Sequence, residues 1–400
     1  MGSNYVNIKF VMKKIFGLQK NIFLLGIVSF FNDLSSEMIL SVLPAFFTSV
    51  LKAGAASLGL VEGIADAGAN FIKIYAGGLS DKIQKRKPFI VLGYFISVIT
   101  RPVYLLASSV GGVVGLRLTD RVGKGLREGP RDAIISLSSP KEELGKSFGY
   151  HRAMDTMGAI LGPLVAYLIL ASFPTGFSKI FIISFIAGIF AIGATLFITD
   201  VIGNVKDKKL SLASLALFTK DFQLYLLSLF ILSMGSLPVA VILLKTQSVG
   251  MTLASIPLFY MLYNILYAGF SISGGKWSDR IGQKRVIFIG YLFLIASYMV
   301  LLFDHSLVFL IAGFLLLGLF PALTDGVQRS YAAAITDEEN RGGAYGLVNA
   351  VSGFGALIAG IAGGYIWQAY GSGAAFCIST VLVAVGLVIL TLTKPKQNLS

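Results

Sequence analysis

Long apolar segments recur along almost the whole chain, and they constrain the fold more than any other feature. Each can cover the hydrocarbon core of a bilayer, which is ~30 Å thick and needs ~20 helical residues. Hydrophobic residues make up 55% of the 400 residues and charged residues 13%, whereas a soluble domain carries roughly 25% charged residues. The pattern predicts an all-α membrane protein with twelve transmembrane helices. The predicted helices cover 21–50, 54–79, 88–107, 110–137, 143–171, 177–200, 221–247, 252–276, 286–303, 306–336, 340–368 and 372–393.

One polar stretch divides these segments into two groups of six. We expect an N-terminal six-helix bundle over 1–200, a cytoplasmic linker over 201–220 and a C-terminal six-helix bundle over 221–400. The first apolar segment has no small-residue cleavage site and continues into a full span. We therefore expect a retained helix and not a signal peptide.

The formal net charge of +13 would suggest a nucleic-acid partner, but the positions of Lys and Arg indicate topology instead. If the N-terminus is cytoplasmic, the inner segments hold 20 of these residues and the outer helix ends hold three. Such a bias sets the orientation of membrane proteins. We expect a multi-pass protein of the cell (inner) membrane with both termini in the cytoplasm, and no nucleic-acid partner.

Residues for disulfide or metal chemistry are scarce. Cys377 is the only cysteine, and His151 and His305 are the only histidines. This excludes an intrachain disulfide and argues against a Cys/His metal cluster. The sequence also lacks a nucleophile–base pair and a phosphate-binding loop of the correct spacing. We expect neither enzymatic activity nor a cofactor nor a bound metal.

The two halves of the chain repeat each other. GGLSDKIQKRK in the first half matches GGKWSDRIGQKR in the second, and this places Asp279 198 positions after Asp81. Arg329 follows Arg131 at the same offset of 198. Parallel repeats of six helices build transporters whose site lies near the midplane, between the halves. We expect two pseudo-symmetric bundles that work by alternating access.

These motifs resemble the major facilitator superfamily over essentially the whole chain. In that family the loop between helices 2 and 3 reads G-x-L-A-D-R-x-G-R-R, and residues 77–86 here read GGLSDKIQKR. Gln84 replaces the usual glycine, which the second copy keeps as Gly282. The resemblance implies a secondary transporter with the fold of that family.

The same resemblance implies a gate latch. The loop aspartate, Asp81, would grip the end of the fourth helix at Arg131 when the inner gate is shut. Asp279 and Arg329 would form the second latch. A carboxylate and a guanidinium at a dry helix junction form a charge-assisted bond that must break on opening. The alternative is that these loops carry topology charge only.

The predicted fifth helix carries a glycine pattern. Gly149, Gly158 and Gly162-Pro163 resemble the signature of proton-driven antiporters in the superfamily, although Ala166 and Tyr167 stand where two further glycines are usual. The resemblance implies export coupled to protons. Close packing through small residues is the alternative.

The fourth helix is unusually charged. Its eight charged residues fall within an arc of ~140° at 100° per residue, so we expect all of them to turn away from lipid. Each costs ~2.5–3.5 kcal/mol at mid-membrane unless it meets water or a partner. These residues are Arg117, Asp120, Arg121, Lys124, Arg127, Glu128, Arg131 and Asp132.

Depth suggests partners for them on the first helix. Helices 1 and 4 are expected to be antiparallel. Two residues at equal depth on these helices therefore have residue numbers that add up to a constant. A sum of 154 matches Asp33 with Arg121 and Glu37 with Arg117. Arg121 with Gly125 also resembles a helix-4 pattern of the superfamily, whose arginine is associated with proton coupling. A carboxylate beside Arg121 would hold or release a proton according to its distance from that arginine.

We therefore predict two sets of site residues. The proton-coupling set is Asp33, Glu37, Arg121 and Asp155. The substrate-binding set is Arg117, Asp120, Arg121, Lys124, Tyr263 and Lys245. The alternatives are a static ion-pair network for the charged residues, packing for Tyr263 and snorkelling for Lys245. For Glu62, Asp66 and Lys73 on the second helix we favour a structural role, and for Asp155 a proton relay and an ion pair with Arg152 or helix 4 remain equally open.

The predicted function is proton-coupled export (antiport) of a small organic molecule by a protein that acts as a monomer. One rival is a proton symporter that imports an anionic nutrient or a metal chelate. The other is a lipid flippase on the same fold. Charges in the expected site are nearly balanced, so an anionic or zwitterionic substrate is only mildly preferred.

Overall fold

The computed structural model describes residues 14–83, 85–140, 143–201, 218–303, 306–337 and 340–393. A two-stranded antiparallel hairpin of β1 (Lys14–Ile15) and β2 (Leu18–Gln19) precedes the helices. Its turn has positive φ at Phe16 and Gly17. Most of the expected linker lies outside the described residues, so the domain boundaries stay a prediction.

The first half of the chain forms six long helices. They are α1 (Lys20–Ser49), α2 (Ala55–Ile83), α3 (Lys87–Val103), α4 (Val110–Ser138), α5 (Leu144–Ser172) and α6 (Phe177–Leu196). Ser109 caps α4 by accepting a hydrogen bond of 3.2 Å from the backbone N–H of Gly112, which satisfies one of the free donors at the helix start.

The second half begins with a broken helix and ends with a folded one. Its elements are α7 (Lys220–Met234), α8 (Val239–Leu243), α9 (Lys245–Ser248), α10 (Ile256–Ile281), α11 (Gln283–Leu301), α12 (Leu307–Ala334) and α13 (Arg341–Leu392).

The expected seventh helix is not continuous. The chain leaves helical geometry between α7 and α8, where Pro238 has φ of −57° and ψ of 135°. The hydroxyl of Tyr298 satisfies the freed backbone groups: it accepts from the N–H of Leu237 at 2.9 Å and donates to the carbonyl of Gly235 at 3.1 Å. Protein groups must supply such partners, because lipid offers none.

Helix α13 comprises two membrane crossings. Gly371 breaks it with φ of +87° and ψ of 167°, a conformation that favours glycine. Gly355 and Val383 would lie ~42 Å apart in a straight helix. Instead Gly355 contacts Ser233 near the end of α7, and Val383 contacts Gly235, which directly follows α7. The chain therefore reverses at Gly371, as the predicted boundary between 368 and 372 requires.

The structure confirms the twelve predicted crossings. Among the described residues, nine helices are long and apolar enough to span a membrane, and α13 is one of them. Because the chain reverses at Gly371, α13 contributes two membrane crossings. Helices α2 and α4 are long enough as well, but they are too polar to meet the same combined limits on hydropathy and charge. Both are parts of an otherwise regular bundle, so their charges must be compensated inside it.

Packing within the first bundle places α1 mainly against α5 and α6, and α2 mainly against α4. In the second bundle, α10 and α11 both pack on α12, and α7 packs on α13. The two bundles meet where α2 packs on α13 and α5 packs on α10. These two seams frame the space between the bundles.

Candidate functional site

A cavity of about 790 Å³ lies between the two bundles. Its wall is built by α1, α2, α4, α5, α10, α12 and α13. The exposed side chains of Asp132, Asp279 and Arg329 belong to this wall near the ends of α4, α10 and α12. The cavity therefore opens on the side that carries the basic junctions around Arg86 and Lys284, which we call the basic side.

The opposite end, which we call the far side, is closed by a glycine seam. Gly59 and Gly63 on α2 lie against Gly360 and Gly364 on α13 so closely that a Cβ atom at Gly360 would come within 2.8 Å of the Cα of Gly63. Gln368 extends the seam by accepting a hydrogen bond of 3.1 Å from the backbone N–H of Ala56. The absence of side chains lets the two helix backbones touch.

Charge of both signs lines the cavity in equal numbers. Eight acidic and eight basic side chains belong to its described lining. All eight charged residues of α4 are among them, as the ~140° arc predicts. The other lining charges are Asp33, Glu37, Lys73, Arg152, Asp155, Asp279, Asp325 and Arg329.

Helices α2 and α4 are joined by a ladder of ion pairs. Arg117 makes a bidentate contact to Glu62, with Nε–Oε1 at 2.8 Å and Nη2–Oε2 at 2.6 Å. Arg121 lies 3.8 Å from Asp66. Lys73 lies 2.8 Å from Glu128. Each pair has the same index difference of 55, as expected for two parallel helices in one register.

This ladder corrects the predicted pairing. Neither Asp33 with Arg121 nor Glu37 with Arg117 forms an ion pair in the described structure. Residues of two helices can lie at the same depth although the helices face different neighbours. Helix α1 packs mainly on α5 and α6, whereas α4 lies against α2. The acids of α2, for which the sequence favours a structural role, therefore reach the arginines first.

Asp33 meets Asp155 instead. The two carboxyl groups, on α1 and α5, lie within hydrogen-bonding reach of each other. Ser29 donates to Asp155 at 2.7 Å, and Arg152 lies 3.1 Å from the other oxygen of Asp155. Asn32 donates to Asp33 at 2.9 Å. We call Asp33 and Asp155 the carboxyl pair.

A polar chain runs from this pair into the second bundle. Arg152 stacks over the ring of Tyr267, with its guanidinium carbon 4.9 Å from the ring centroid. The hydroxyl of Tyr267 donates to Asp325 at 2.8 Å. The carboxyl pair is thus linked through α10 to α12. A displacement of one bundle against the other must change these contacts.

Glu37 lies one helical turn from Asp33 and close to the hydroxyl of Tyr260 on α10. Its second oxygen, Oε2, is buried without a hydrogen-bond partner in the described structure. A buried polar atom of this kind calls for an explanation, which can be an absent water or a ligand. Glu37 is therefore placed to receive a donor from the cavity.

Asp120 is held by arginines. Arg101 lies 3.2 Å and Arg117 3.7 Å from its carboxylate, and only 4% of Asp120 is exposed. Arg127 donates to Ser97 at 2.5 Å and lies over the ring of Tyr94. Asp120 lines the cavity as predicted, but its charge is already compensated.

Two predicted substrate contacts lie elsewhere. Tyr263 belongs to a second, smaller cavity of about 120 Å³, which shares Leu40 and Arg121 with the larger one. Lys245 lines neither cavity and is 1% exposed. Its amine donates to Ser372 at 3.1 Å. Lys245 thus joins α9 to the start of the last crossing, so its role in substrate binding stays a prediction that this geometry does not favour.

The latch residues sit at the cavity mouth. Asp279 and Arg329 line it without an ion pair to a described residue, and Arg131 contacts its neighbour Asp132 at 2.9 Å. The side chain of Asp81 lies outside the described part of the chain. The open mouth is the state in which a latch would be released, so the latch stays a prediction.

A polar cavity between two six-helix bundles, open on one side and sealed on the other, defines a secondary transporter of the alternating-access type. The profile of the Major Facilitator Superfamily matches residues 25–237 and 224–400. The chain belongs to this superfamily.

Known proteins agree with that assignment. An uncharacterised MFS-type transporter of Methanocaldococcus jannaschii is 37% identical over 88% of this chain and 89% of its own length. The riboflavin transporter RibZ of Clostridioides difficile is 27% identical over 39% of this chain and 34% of its own length. A mutant of the nucleoside transporter NupG superposes with a TM-score of 0.81 at 17% identity and covers 93% of this chain and 99% of that one. The last similarity shows the fold alone.

Proposed function

We propose that this transporter is driven by protons and exports a small organic molecule, with the carboxyl pair as the proton carrier. The supporting observation is the contact between Asp33 and Asp155 in the cavity wall. A hydrogen bond between two carboxyl groups needs a proton on one of them. The pair can therefore hold one proton while it faces the cavity.

Arg152 gives the pair a means of release. Its guanidinium competes with that proton for Asp155, because a cation 3.1 Å away stabilises the ionised carboxylate. The contacts of Arg152 to Tyr267 tie its position to α10. When the bundles rock, Arg152 moves relative to the pair, and the proton is held in one state and released in the other. This is the minimal requirement for coupling.

The direction of transport is inferred from the glycine pattern of α5. The glycine pattern of α5 resembles that of proton-driven antiporters, but Gly158 and Gly162 also pack directly on α1 at Phe30 and Leu34. Packing alone explains these two glycines. Export therefore rests on the resemblance, and a symporter that imports is the alternative to be separated by experiment.

The flippase alternative finds no support in the cavity. Charged and polar side chains dominate its described lining, and Tyr267 is the only aromatic residue there. An acyl chain would have to displace water from charged groups, which costs free energy without compensation.

The test is transport in proteoliposomes with a compound selected by a thermal-shift screen of metabolites and drugs. A pH gradient that is acidic inside should drive accumulation by an antiporter, and the reversed gradient should drive accumulation by a symporter. Asp33→Asn and Asp155→Asn should each abolish accumulation but retain exchange of labelled for unlabelled substrate. Gradient-independent accumulation, or full gradient-driven transport in both variants, would rule out the carboxyl pair as carrier.

A further inference from the structure

Half of the charged side chains that line the cavity form a close ion pair with another side chain of the protein. The close pairs within 3.2 Å are Arg117–Glu62, Arg101–Asp120, Lys73–Glu128, Arg131–Asp132 and Arg152–Asp155. The first three pairs join neighbouring helices of the bundle, and breaking a buried pair leaves an uncompensated charge. They have little capacity left for a substrate.

Besides Asp279 and Arg329 at the mouth, three charged side chains deeper in the cavity wall keep unused capacity. Oε2 of Glu37 and Nε of Arg121 are buried without hydrogen-bond partners in the described structure. Arg121 has a single distant ion pair at 3.8 Å. Lys124 is 39% exposed, and its nearest carboxylate, Glu128 at 3.7 Å, already binds Lys73 at 2.8 Å.

These three groups lie on different walls. Glu37 belongs to α1 and contacts Tyr260 of the second bundle. Arg121 and Lys124 lie one turn apart on α4. All three line the larger cavity, so one molecule in it faces an acid on one wall and two bases on the other.

The rest of the lining favours a hydrophilic molecule. Its neutral polar side chains include Asn32, Ser36, Asn70, Asn349 and Ser352. Apolar side chains are few, whereas sites for drug-like molecules are lined mainly by apolar and aromatic residues. The volume of about 790 Å³ falls within the range of ~300–1,000 Å³ for small-molecule sites.

We infer that the substrate is a hydrophilic zwitterion, whose basic group binds Glu37 and whose acidic group binds Arg121 and Lys124. This inference rests on the proposed transport function and specifies its substrate class. A purely anionic substrate would leave Glu37 without a partner, and a lipophilic cation would leave both bases without one. Either case leaves a buried charge uncompensated.

The assignment also explains how substrate and proton could exclude each other. Glu37 and Asp33 are separated by one helical turn on α1. A substrate ammonium at Glu37 brings a positive charge close to the carboxyl pair, where it favours loss of the shared proton. Binding of one therefore opposes binding of the other, which is the thermodynamic basis of antiport.

The test is ligand-induced thermal stabilisation of the purified full-length protein in detergent at one fixed pH. The probes are the amino acids with uncharged side chains, each with its amide, which is cationic, and its N-acetyl derivative, which is anionic, together with tetraphenylphosphonium as a lipophilic cation. The stabilising compounds should be zwitterions. A zwitterionic hit should lose affinity about tenfold or more in Glu37→Gln and in Lys124→Met, because each variant removes one charge-assisted contact.

Glu143→Gln and Lys276→Met make the same chemical changes outside the cavity and should leave the affinity unchanged. Stabilisation by the amide, the N-acetyl derivative or tetraphenylphosphonium equal to that by the zwitterion would overturn the assignment. So would a screen in which no zwitterion stabilises the protein. Because binding at fixed pH needs no proton gradient, a zwitterion that binds but is not moved by a gradient contradicts the proposed coupling and leaves the substrate class standing.

Discussion

Arg117 can keep its charge inside the membrane because Glu62 meets two of its guanidinium nitrogens, at 2.8 and 2.6 Å. Both side chains are almost completely buried, with 3% and 4% of the two residues exposed. Arg117 was predicted to bind substrate. In this geometry its donors are used by Glu62 and Asp120, which favours a structural role.

This role predicts a specific pattern of stability. Glu62→Gln should lower the free energy of unfolding by ~3–5 kcal/mol, because it leaves the arginine charge buried and unpaired. The double variant Glu62→Gln/Arg117→Met should recover most of the loss, since it removes both charges. The melting temperatures of the two variants measure this, with Glu143→Gln as the matched control. A double variant less stable than Glu62→Gln would refute the pairing.

The same residues show the limit of prediction from sequence. Helical periodicity correctly predicted that all eight charged residues of α4 face the cavity, because the period of an α-helix is fixed. The choice of partner failed, since several helices pass the same depth. The direction in which Asp33 points depends on the packing of α1 against α5, which no local pattern in α1 encodes. The sequence signal that could have identified the partners is that the residue numbers of the oppositely charged side chains on α2 and α4 differ by 55 in each pair.

At the level of elements, the far side is closed by the contact of α2 with α13. Gly59, Gly63, Gly360 and Gly364 let the backbones meet, so the seam depends on the absence of a Cβ atom at each position. The seam must separate when the cavity opens to the far side. Its geometry therefore controls the balance between the two states.

Gly360→Val should prevent closure of the far side, because the added side chain would overlap the backbone of Gly59 and Gly63. A cysteine placed at Ser36 in the cavity wall, in a Cys377→Ala background, should then react with a membrane-impermeant thiol reagent from the far side. Gly346→Val is the control on the same helix, since a Cβ atom at Gly346 would meet nothing within 4 Å. Equal labelling of the two variants would show that the seam is not the gate.

The basic side should have its own gate in the predicted latches. Asp279→Asn and Asp81→Asn should each slow transport while substrate affinity stays within a few-fold, because both residues belong to the gate and not to the substrate contacts. Rates and affinities in proteoliposomes for an identified substrate test this. Normal turnover in both variants would remove the latch role.

At the level of the whole molecule, the bias of 20 against three basic residues predicts that the basic side is cytoplasmic, as are both termini and residues 201–220. Ser211→Cys, in a Cys377→Ala background, tests this although position 211 lies outside the described residues. The cysteine should resist an impermeant reagent applied to intact cells and react after lysis. Labelling in intact cells would show that the orientation is the opposite one and that the cavity opens outward.

The number and order of crossings were predictable from sequence because hydrophobic length is a strong local signal. The break between α7 and α8 was not, since its freed backbone groups are satisfied by Tyr298 from a distant helix. The chain of contacts from Asp155 through Arg152 and Tyr267 to Asp325 was also missed. It joins helices of different bundles, and only the relative placement of the bundles creates it.

Under the proposed coupling, protonation of the carboxyl pair sets the balance between the two open states. This can be tested without a substrate. Spin labels are placed at Leu137 and Ile281, two exposed positions at the ends of α4 and α10 beside the cavity mouth. The distance between the labels is then measured in nanodiscs from mildly alkaline to mildly acidic pH. We expect a distance distribution that shifts with pH in the otherwise unchanged protein and in the control Asp337→Asn. The shift should disappear in the double variant Asp33→Asn/Asp155→Asn. A pH-independent distribution in the unchanged protein, or a shift that persists in the double variant, would contradict it.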